Sequence, residues 1–302
     1  MKGIVIAGPT GVGKTDLSLK LAKMLDADII SCDSAQVYEG MDIGTAKIKK
    51  EEMQGIKHYM LDVLEPTKKY SVGEYQREVD KILSEKEKEN KTVILTGGTG
   101  LYINSVVNGL SELPESNEEL RDKLMKLSED ELYNKLIELD PESTESIHKN
   151  NKKRVERAVE VCLMTGEKFS VLSKKNVKNN NYDFLKVCLT RDREILYKRI
   201  DMRVDIMMKD GLLDEVKNLY NKYGGEILRK INIIGYTQLI DYIEGKISLE
   251  EAVNLIKRDS RRYAKRQMTW FNNDEGYLWF DLEKQTENEI LKDIMEYYLT
   301  HV

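Results

Sequence analysis

The chain has 302 residues, a formal charge of −5 at pH 7, 40% hydrophobic and 33% charged residues, the balance of a folded, water-exposed protein with room for an apolar core. No uncharged apolar run comes near the ~18 residues that read as a membrane span. Three scattered cysteines, Cys32, Cys162 and Cys188, argue against a disulfide framework and for a reducing, cytoplasmic setting, and His58, His148 and His301 lack metal-ligand spacing.

In chain order, GIVIAG (3–8) reads as a buried strand and TDLSLKLAKMLD (15–26) as a helix with Leu17, Leu21, Met24 and Leu25 on one stripe. ADIISCD (27–33) is a second strand. HYMLDVLEP (58–66), with Tyr59, Leu61 and Val63 at period two, predicts a third. A helix follows over 72–90, with Tyr75, Val79, Ile82 and Leu83 as its apolar stripe, and then the strand KTVILTGG (91–98). Such alternation builds a parallel sheet with helices on both faces. From about Leu113 strands disappear. Short helices are expected there, starting at Ser116 or Asn117 and after Asp140-Pro141, and the polar run 173–183 is a loop. FLKVCLT (184–190) returns to the sheet. The rest is helical, with segments over 193–211, 212–225 and 248–273, closed by the strand GYLWFDL (276–282). The fold class is therefore α/β. With GPTGVGKT (8–15) between the first strand and the first helix, a P-loop NTPase-like parallel sheet core and a largely helical C-terminal part occupy 1–112 and 183–302, and a helical insertion domain occupies 113–182.

The chemistry starts at Gly8-Pro9-Thr10-Gly11-Val12-Gly13-Lys14-Thr15, which fits G-x-x-x-x-G-K-[ST] between a buried strand and an amphipathic helix. The glycines let backbone N–H groups converge on phosphate oxygens, Lys14 adds charge, and the Thr15 hydroxyl suits Mg²⁺. A motor NTPase also needs an apolar strand that ends in a carboxylate, but TVIL ends in Thr96-Gly97-Gly98-Thr99. The carboxylate in the right place is Asp33, beyond the second strand, where ligands of parallel sheets lie. The bland alternative is a helix cap by Asp33 or Ser34. Arg199 and Arg203, four residues apart, share a helix face. The acidic chain concentrates Lys and Arg at 148–157 and 257–267, which reads as a solvated face or a polyanion footprint.

Together, GPTGVGKT, DSAQVYEGMDIGTAK (33–47), YSVGEYQRE (70–78), GGTGLYINSVVNGL (97–110), RVERAVEV (154–161) and AKRQMTWF (264–271) resemble, in content and order, the bacterial tRNA dimethylallyltransferases, or tRNA isopentenyltransferases. The resemblance spans nearly the whole chain. It implies transfer of a dimethylallyl group from dimethylallyl diphosphate to the N6 amine of the adenosine 3′-adjacent to the anticodon, in tRNAs reading codons that begin with U. The loop would then hold a diphosphate leaving group, with Mg²⁺ as cofactor. The resemblance makes Asp33 the general base and groups it with Thr10, Lys14, Arg199 and Arg203 as the residues of the chemistry. It gives RNA contacts to Asp33, Ser34, Ala35, Gln36 and Thr99, to Arg121 and Lys153, Arg154, Val155, Glu156 and Arg157 in the insertion, and to Lys265, Arg266 and Gln267. The insertion would bind the anticodon stem-loop. A monomer without membrane contact is expected. The resemblance assigns no role to Asp42, Thr45, Lys47, Asn232 or Gln238.

Three rival readings differ in what they require. A small-molecule kinase needs ATP and a compact acceptor lid. An isopentenyltransferase of free adenine nucleotides needs no long basic surface. A non-catalytic RNA binder has no use for Lys14, Thr15 and Asp33 together.

Overall fold

The chain runs β1 (Lys2–Ala7), α1 (Lys14–Leu25), β2 (Asp28–Ser31), β3 (His58–Tyr59), α2 (Val72–Lys88), β4 (Val93–Gly97), α3 (Gly100–Val107), α4 (Glu118–Met125), α5 (Glu129–Leu139), a 3₁₀ turn (Pro141–Glu145), α6 (Lys152–Thr165), α7 (Phe169–Lys175), β5 (Asp183–Thr190), α8 (Arg193–Lys209), α9 (Leu212–Tyr223), α10 (Gly225–Ile231), α11 (Tyr236–Ile243), α12 (Leu249–Asn272), β6 (Leu278–Asp281) and α13 (Glu287–His301). The computed structural model describes residues 2–111, 113–175 and 182–301. It divides into two compact units, residues 1–107 with 181–302 and residues 108–180.

In the larger unit the strands pair only in parallel, in the order β3-β2-β4-β1-β5-β6. β1 lies at the centre and is apolar from Gly3 to Ala7 because both its faces are covered there. Ile4 and Ile6 pack with Leu17 and Leu21 of α1 and with Ile290 and Ile294 of α13. Val5 and Ala7 face the other way, toward Tyr75, Val79 and Leu83 of α2 and Ile103 and Val106 of α3. A third core joins Val204 of α8, Val216 of α9, Leu239 and Ile240 of α11 and Ile256 of α12 to Val37 and Met41. It carries the 36–47 loop at the carboxyl ends of the strands.

The expected third strand is cut to His58–Tyr59, paired with Ile29 and Ile30. Met60 and Asp62 take φ of 63° and 50°, left-handed conformations that break the pleat, and pairing resumes only as a bridge between Tyr38 and Leu64. The residues at 231–238, left without an element by the sequence pattern, end α10 at left-handed Asn232 and start α11.

Among its described residues the smaller unit has helices and connecting turns and no strand. Leu124, Leu132, Leu136, Ile147, Val155, Ala158 and Val159 form its core. Of the polar run read as a loop, residues up to Lys175 close α7, and residues 176–181 lie outside the described residues. Two buried carboxylates brace the unit. Asp140 accepts from the backbone N–H and hydroxyl of both Ser143 and Ser170. Glu160 accepts from Arg121 Nε and Nη2 at 3.0 Å each, from Arg157 Nη1 at 2.6 Å and from the Asn117 N–H at 2.7 Å.

Candidate active site

The loops after β1, β2 and β4 and the helix α8 that follows β5 converge at the carboxyl edge of the sheet. The loop after β1 turns on Gly8, Gly11 and Gly13, at φ of 145°, 79° and 115°, conformations that favour glycine. Lys14 folds its Nζ onto the carbonyls of Gly8 and Pro9, at 2.9 Å each. Val12 is buried in the core, and its carbonyl accepts from Arg191 Nε at 2.8 Å. The Gly11 carbonyl accepts from Arg199 Nε at 2.9 Å. Burial, with the Arg203 guanidinium close by, pulls the Lys14 ammonium down to about 8. Burial also lowers Arg203, which faces Asp33.

Two clefts open from this edge, both within the larger unit. The first, of 450 Å³, is lined by Thr10, Gly11, Gly13, Lys14 and Thr15, by Arg199 and Arg203, and by apolar Ile29, Ile48, Leu61, Met202 and Ile206. The second, of 680 Å³, is lined by Ser34 and Ala35, by Tyr38, Tyr70 and Tyr102, and by Arg262 and Arg266. They share Thr10, Asp33, Thr45, Ala46, Arg203 and Tyr263. One side is thus a phosphate cradle with an apolar wall. The other is an aromatic and basic groove of the sort that takes single-stranded bases.

Asp33 stands where the two clefts meet. Its Oδ1 accepts the Ala35 N–H at 2.8 Å, so one oxygen braces a turn, and no helix starts there for it to cap. Among the described residues Oδ2 has no hydrogen-bond donor, which leaves it free to receive a proton. Thr99 Oγ1 accepts the Ser34 N–H at 3.1 Å and so holds the next residue in place. Glycines at the end of β4 make the fit possible. A Cβ on Gly97 would lie 2.2 Å from the Cys32 carbonyl oxygen, and one on Gly98 2.1 Å from Gln267 Nε2.

Not every expected contact residue faces a ligand. Gln36 accepts from Ser31 Oγ at 2.9 Å and donates to the Thr45 carbonyl at 3.2 Å, tying two loops together at the edge of the first cleft. Gln267 is buried and turned inward, toward Thr10 and Gly98. Val155 is 1% exposed in the core of the smaller unit, so its side chain is not available to RNA; helical periodicity turns it inward between exposed Arg154 and half-buried Glu156. Arg121 and Arg157 are engaged with Glu160, while Lys153 and Arg154 are exposed. On α12, Lys257 and Arg261 pair with Asp205 and Asp201 of α8 and Arg258 with Asp259; Arg262 is exposed although 3.8 Å from Asp259, and Lys265 and Arg266 face water.

The unassigned motif residues are tied into the scaffold, and Thr45, Asn232 and Gln238 also line the clefts. Lys47 Nζ is held by the Tyr38 carbonyl, Asp42 and Asp62 at 2.8, 2.7 and 2.5 Å. Thr45 Oγ1 donates to the Met41 carbonyl at 2.6 Å. Glu215 accepts the N–H groups of Asp42, Ile43 and Gly44 and the Tyr236 hydroxyl. Gln238 accepts the Gly235 N–H and donates to Asp259. Arg191 and Tyr263 were missed by sequence reasoning. Tyr263 sits one helical turn before Gln267, and that spacing was the available signal.

Among the described residues no group of three or more His, Cys, Asp or Glu is placed to hold a metal ion. The oxygens on offer, the Thr15 hydroxyl and the Asp33 carboxylate, suit a hard cation that takes its other ligands from phosphate and water.

A P-loop, two arginines and a half-free carboxylate set between a phosphate cradle and an aromatic groove define a P-loop group-transfer enzyme. The family model described as IPP transferase matches residues 36–274, and the chain belongs to that family. It is 58% identical over 293 residues to a tRNA dimethylallyltransferase of Fusobacterium nucleatum, covering 97% of this chain and 96% of that one. A Clostridioides difficile protein of the same name is 48% identical over 301 residues, covering 98% and 96%. The crystal structure of a tRNA isopentenylpyrophosphate transferase from Bacillus halodurans superposes with a TM-score of 0.74 at 38% identity, over 98% of this chain and 96% of that one. A eukaryotic dimethylallyltransferase caught acting on tRNA gives 0.82 at 27% identity, over 98% and 79%.

Proposed function

We propose that the protein transfers a dimethylallyl group from dimethylallyl diphosphate to the exocyclic N6 amine of the adenosine 3′-adjacent to the anticodon, in tRNAs reading codons that begin with U, and releases diphosphate. The observation that carries this reading is the meeting of the two clefts at Thr10, Asp33, Arg203 and Tyr263. A donor on the loop and a base in the aromatic groove bring their reacting atoms together beside Asp33.

The amine nitrogen attacks the first carbon of the allyl group, the carbon–oxygen bond to diphosphate breaks, and Asp33 takes the amine proton. Lys14, Arg199, Arg203 and the loop N–H groups stabilise the charge that grows on the leaving group, in a site where that stabilisation is strong. Mg²⁺, held through Thr15, would neutralise further diphosphate charge when bound. The adenine must leave its stack to enter the groove, which a single-stranded loop permits at low cost. Arg262, Lys265 and Arg266 of the larger unit, and Lys153 and Arg154 of the smaller, are the exposed cations offered to RNA phosphates. Three buried, free cysteines agree with a reducing cytoplasm, and among the described residues no helix is long and apolar enough to cross a membrane. The reading takes the protein as a monomer.

The test is label transfer from radiolabelled dimethylallyl diphosphate to bulk tRNA, AMP and ATP, offered separately. Label is expected in tRNA alone. Label in AMP or ATP, or hydrolysis of ATP stimulated by tRNA, would replace this reading.

A further inference from the structure

Gln267 lies on α12, within the basic stretch, yet its amide is buried and bonded at both ends. Its Oε1 accepts the backbone N–H of Thr10 at 2.9 Å, and its Nε2 donates to the Gly98 carbonyl at 2.9 Å. The amide's orientation is fixed by chemistry, because one partner can only donate and the other only accept. Gly98 has no side chain where one would strike Nε2 at 2.1 Å. The residue after Gly98 is Thr99, whose hydroxyl holds the N–H of Ser34 beside Asp33. Tyr263, one turn earlier on α12, lines both clefts beside these residues.

These contacts form a chain from Thr10 in the phosphate loop, through Gln267 and Gly98, to Thr99, Ser34 and Asp33. We infer that Gln267 is a positioning residue that sets the gap between the donor loop and the proton acceptor, and that it makes no contact with RNA. The inference rests on the proposed prenyl transfer. It adds that α12 acts with two faces: cations outward for the polyanion, and one amide inward to hold donor and acceptor sites in register. Small misplacements of reacting groups cost rate far more than they cost binding.

The test uses the full chain and Gln267→Met, which keeps length and loses both hydrogen bonds. At saturating substrates kcat should fall on the order of 10²-fold, with the Kd for tRNA and its salt dependence unchanged. Gln267→Glu should not rescue, because a carboxylate oxygen would face the Gly98 carbonyl. Gly98→Ala, which pushes on the same amide from the other side, should show the same kcat loss. In a Gln267→Ala background it should add little, since the clash is gone. The Thr10 amide should exchange slowly with solvent deuterium in the wild type and fast in Gln267→Met. That readout stands even if the wild type transfers no label, an outcome that would sink the proposed function and not the clamp. Weaker tRNA binding with kcat preserved would make Gln267 an RNA contact and overturn the inference. So would additive losses in the Gly98–Gln267 cycle, or a variant that loses its folded signal and tRNA binding together.

Discussion

Lys14 shows how one residue is set for its task. Burial, reinforced by Arg203, pulls its ammonium down to about 8, so in the free protein the charge is lost as pH rises through that value. A bound diphosphate favours the charged form and raises it again. The expected profile is a kcat/KM for dimethylallyl diphosphate that falls above about pH 8, with kcat at saturating donor staying level; a kcat/KM that is flat well beyond that pH would disprove the assignment. Lys14→Ala should lower the same kcat/KM by ~10²–10³-fold, as losing one preorganised group on a developing anion does. This part of the site was legible because it is local, with eight consecutive residues carrying the loop. Arg191 and Gln267 were not legible as parts of the same loop. Their partners Val12 and Thr10 lie 179 and 257 residues away, and no short pattern encodes such pairs.

At the scale of elements, α6 and α12 share a lesson. A run of Lys and Arg gives the charge of a helix but not the partner of each cation. On α6 the i, i+3 pair Arg157 and Glu160 is joined by Arg121 from α4, so two expected RNA contacts are half spent on a buried carboxylate. Burial pushes the Glu160 carboxyl up, but the hydrogen bonds from Arg121, Arg157 and the Asn117 N–H outweigh it and hold it below the usual range. The stabilisation is therefore present above the unfolded carboxylate's pKa and is lost as pH falls through the folded one. Glu160→Gln should cost about 1–3 kcal/mol at neutral pH and flatten the acid dependence of unfolding, followed by denaturant titration across pH. An unchanged acid limb would remove Glu160 from that account. Lys153 and Arg154 have no such duty. Replacing both with Ala should weaken tRNA binding and reduce the slope of log K against log salt by up to ~2, about one for each phosphate contact. Identical slopes would make them an ordinary solvated face. Lys257, Arg258 and Arg261 on α12, paired with carboxylates, are expected to leave that slope unchanged when neutralised.

For the whole molecule, the sheet was readable because a strand buried on both faces is apolar at every position and the helices between strands carry a clear stripe. β1, β2, β4 and β5 follow that rule in their centres, at Ile4–Ala7, Ile29–Ile30, Val93–Leu95 and Val187–Leu189, with polar residues at their ends. The 58–66 stretch does not, because its period-two pattern belongs to residues whose backbone turns left-handed at Met60 and Asp62, and nothing in the alternation announces that. The helical C-terminal part hid its purpose for a similar reason. Glu215, Tyr236 and Gln238 support the 36–47 loop and α12 from afar, which periodicity cannot express. What the assembly achieves is the joining of two clefts at a single carboxylate. The direct measurement is a rapid-quench single turnover of labelled dimethylallyl diphosphate onto tRNA by the wild type and by Asp33→Asn. The rate of label transfer should fall ~10²–10⁴-fold, the range for a positioned proton acceptor, while tRNA and donor still bind; transfer at the wild-type rate would contradict the placement of the reaction at Asp33.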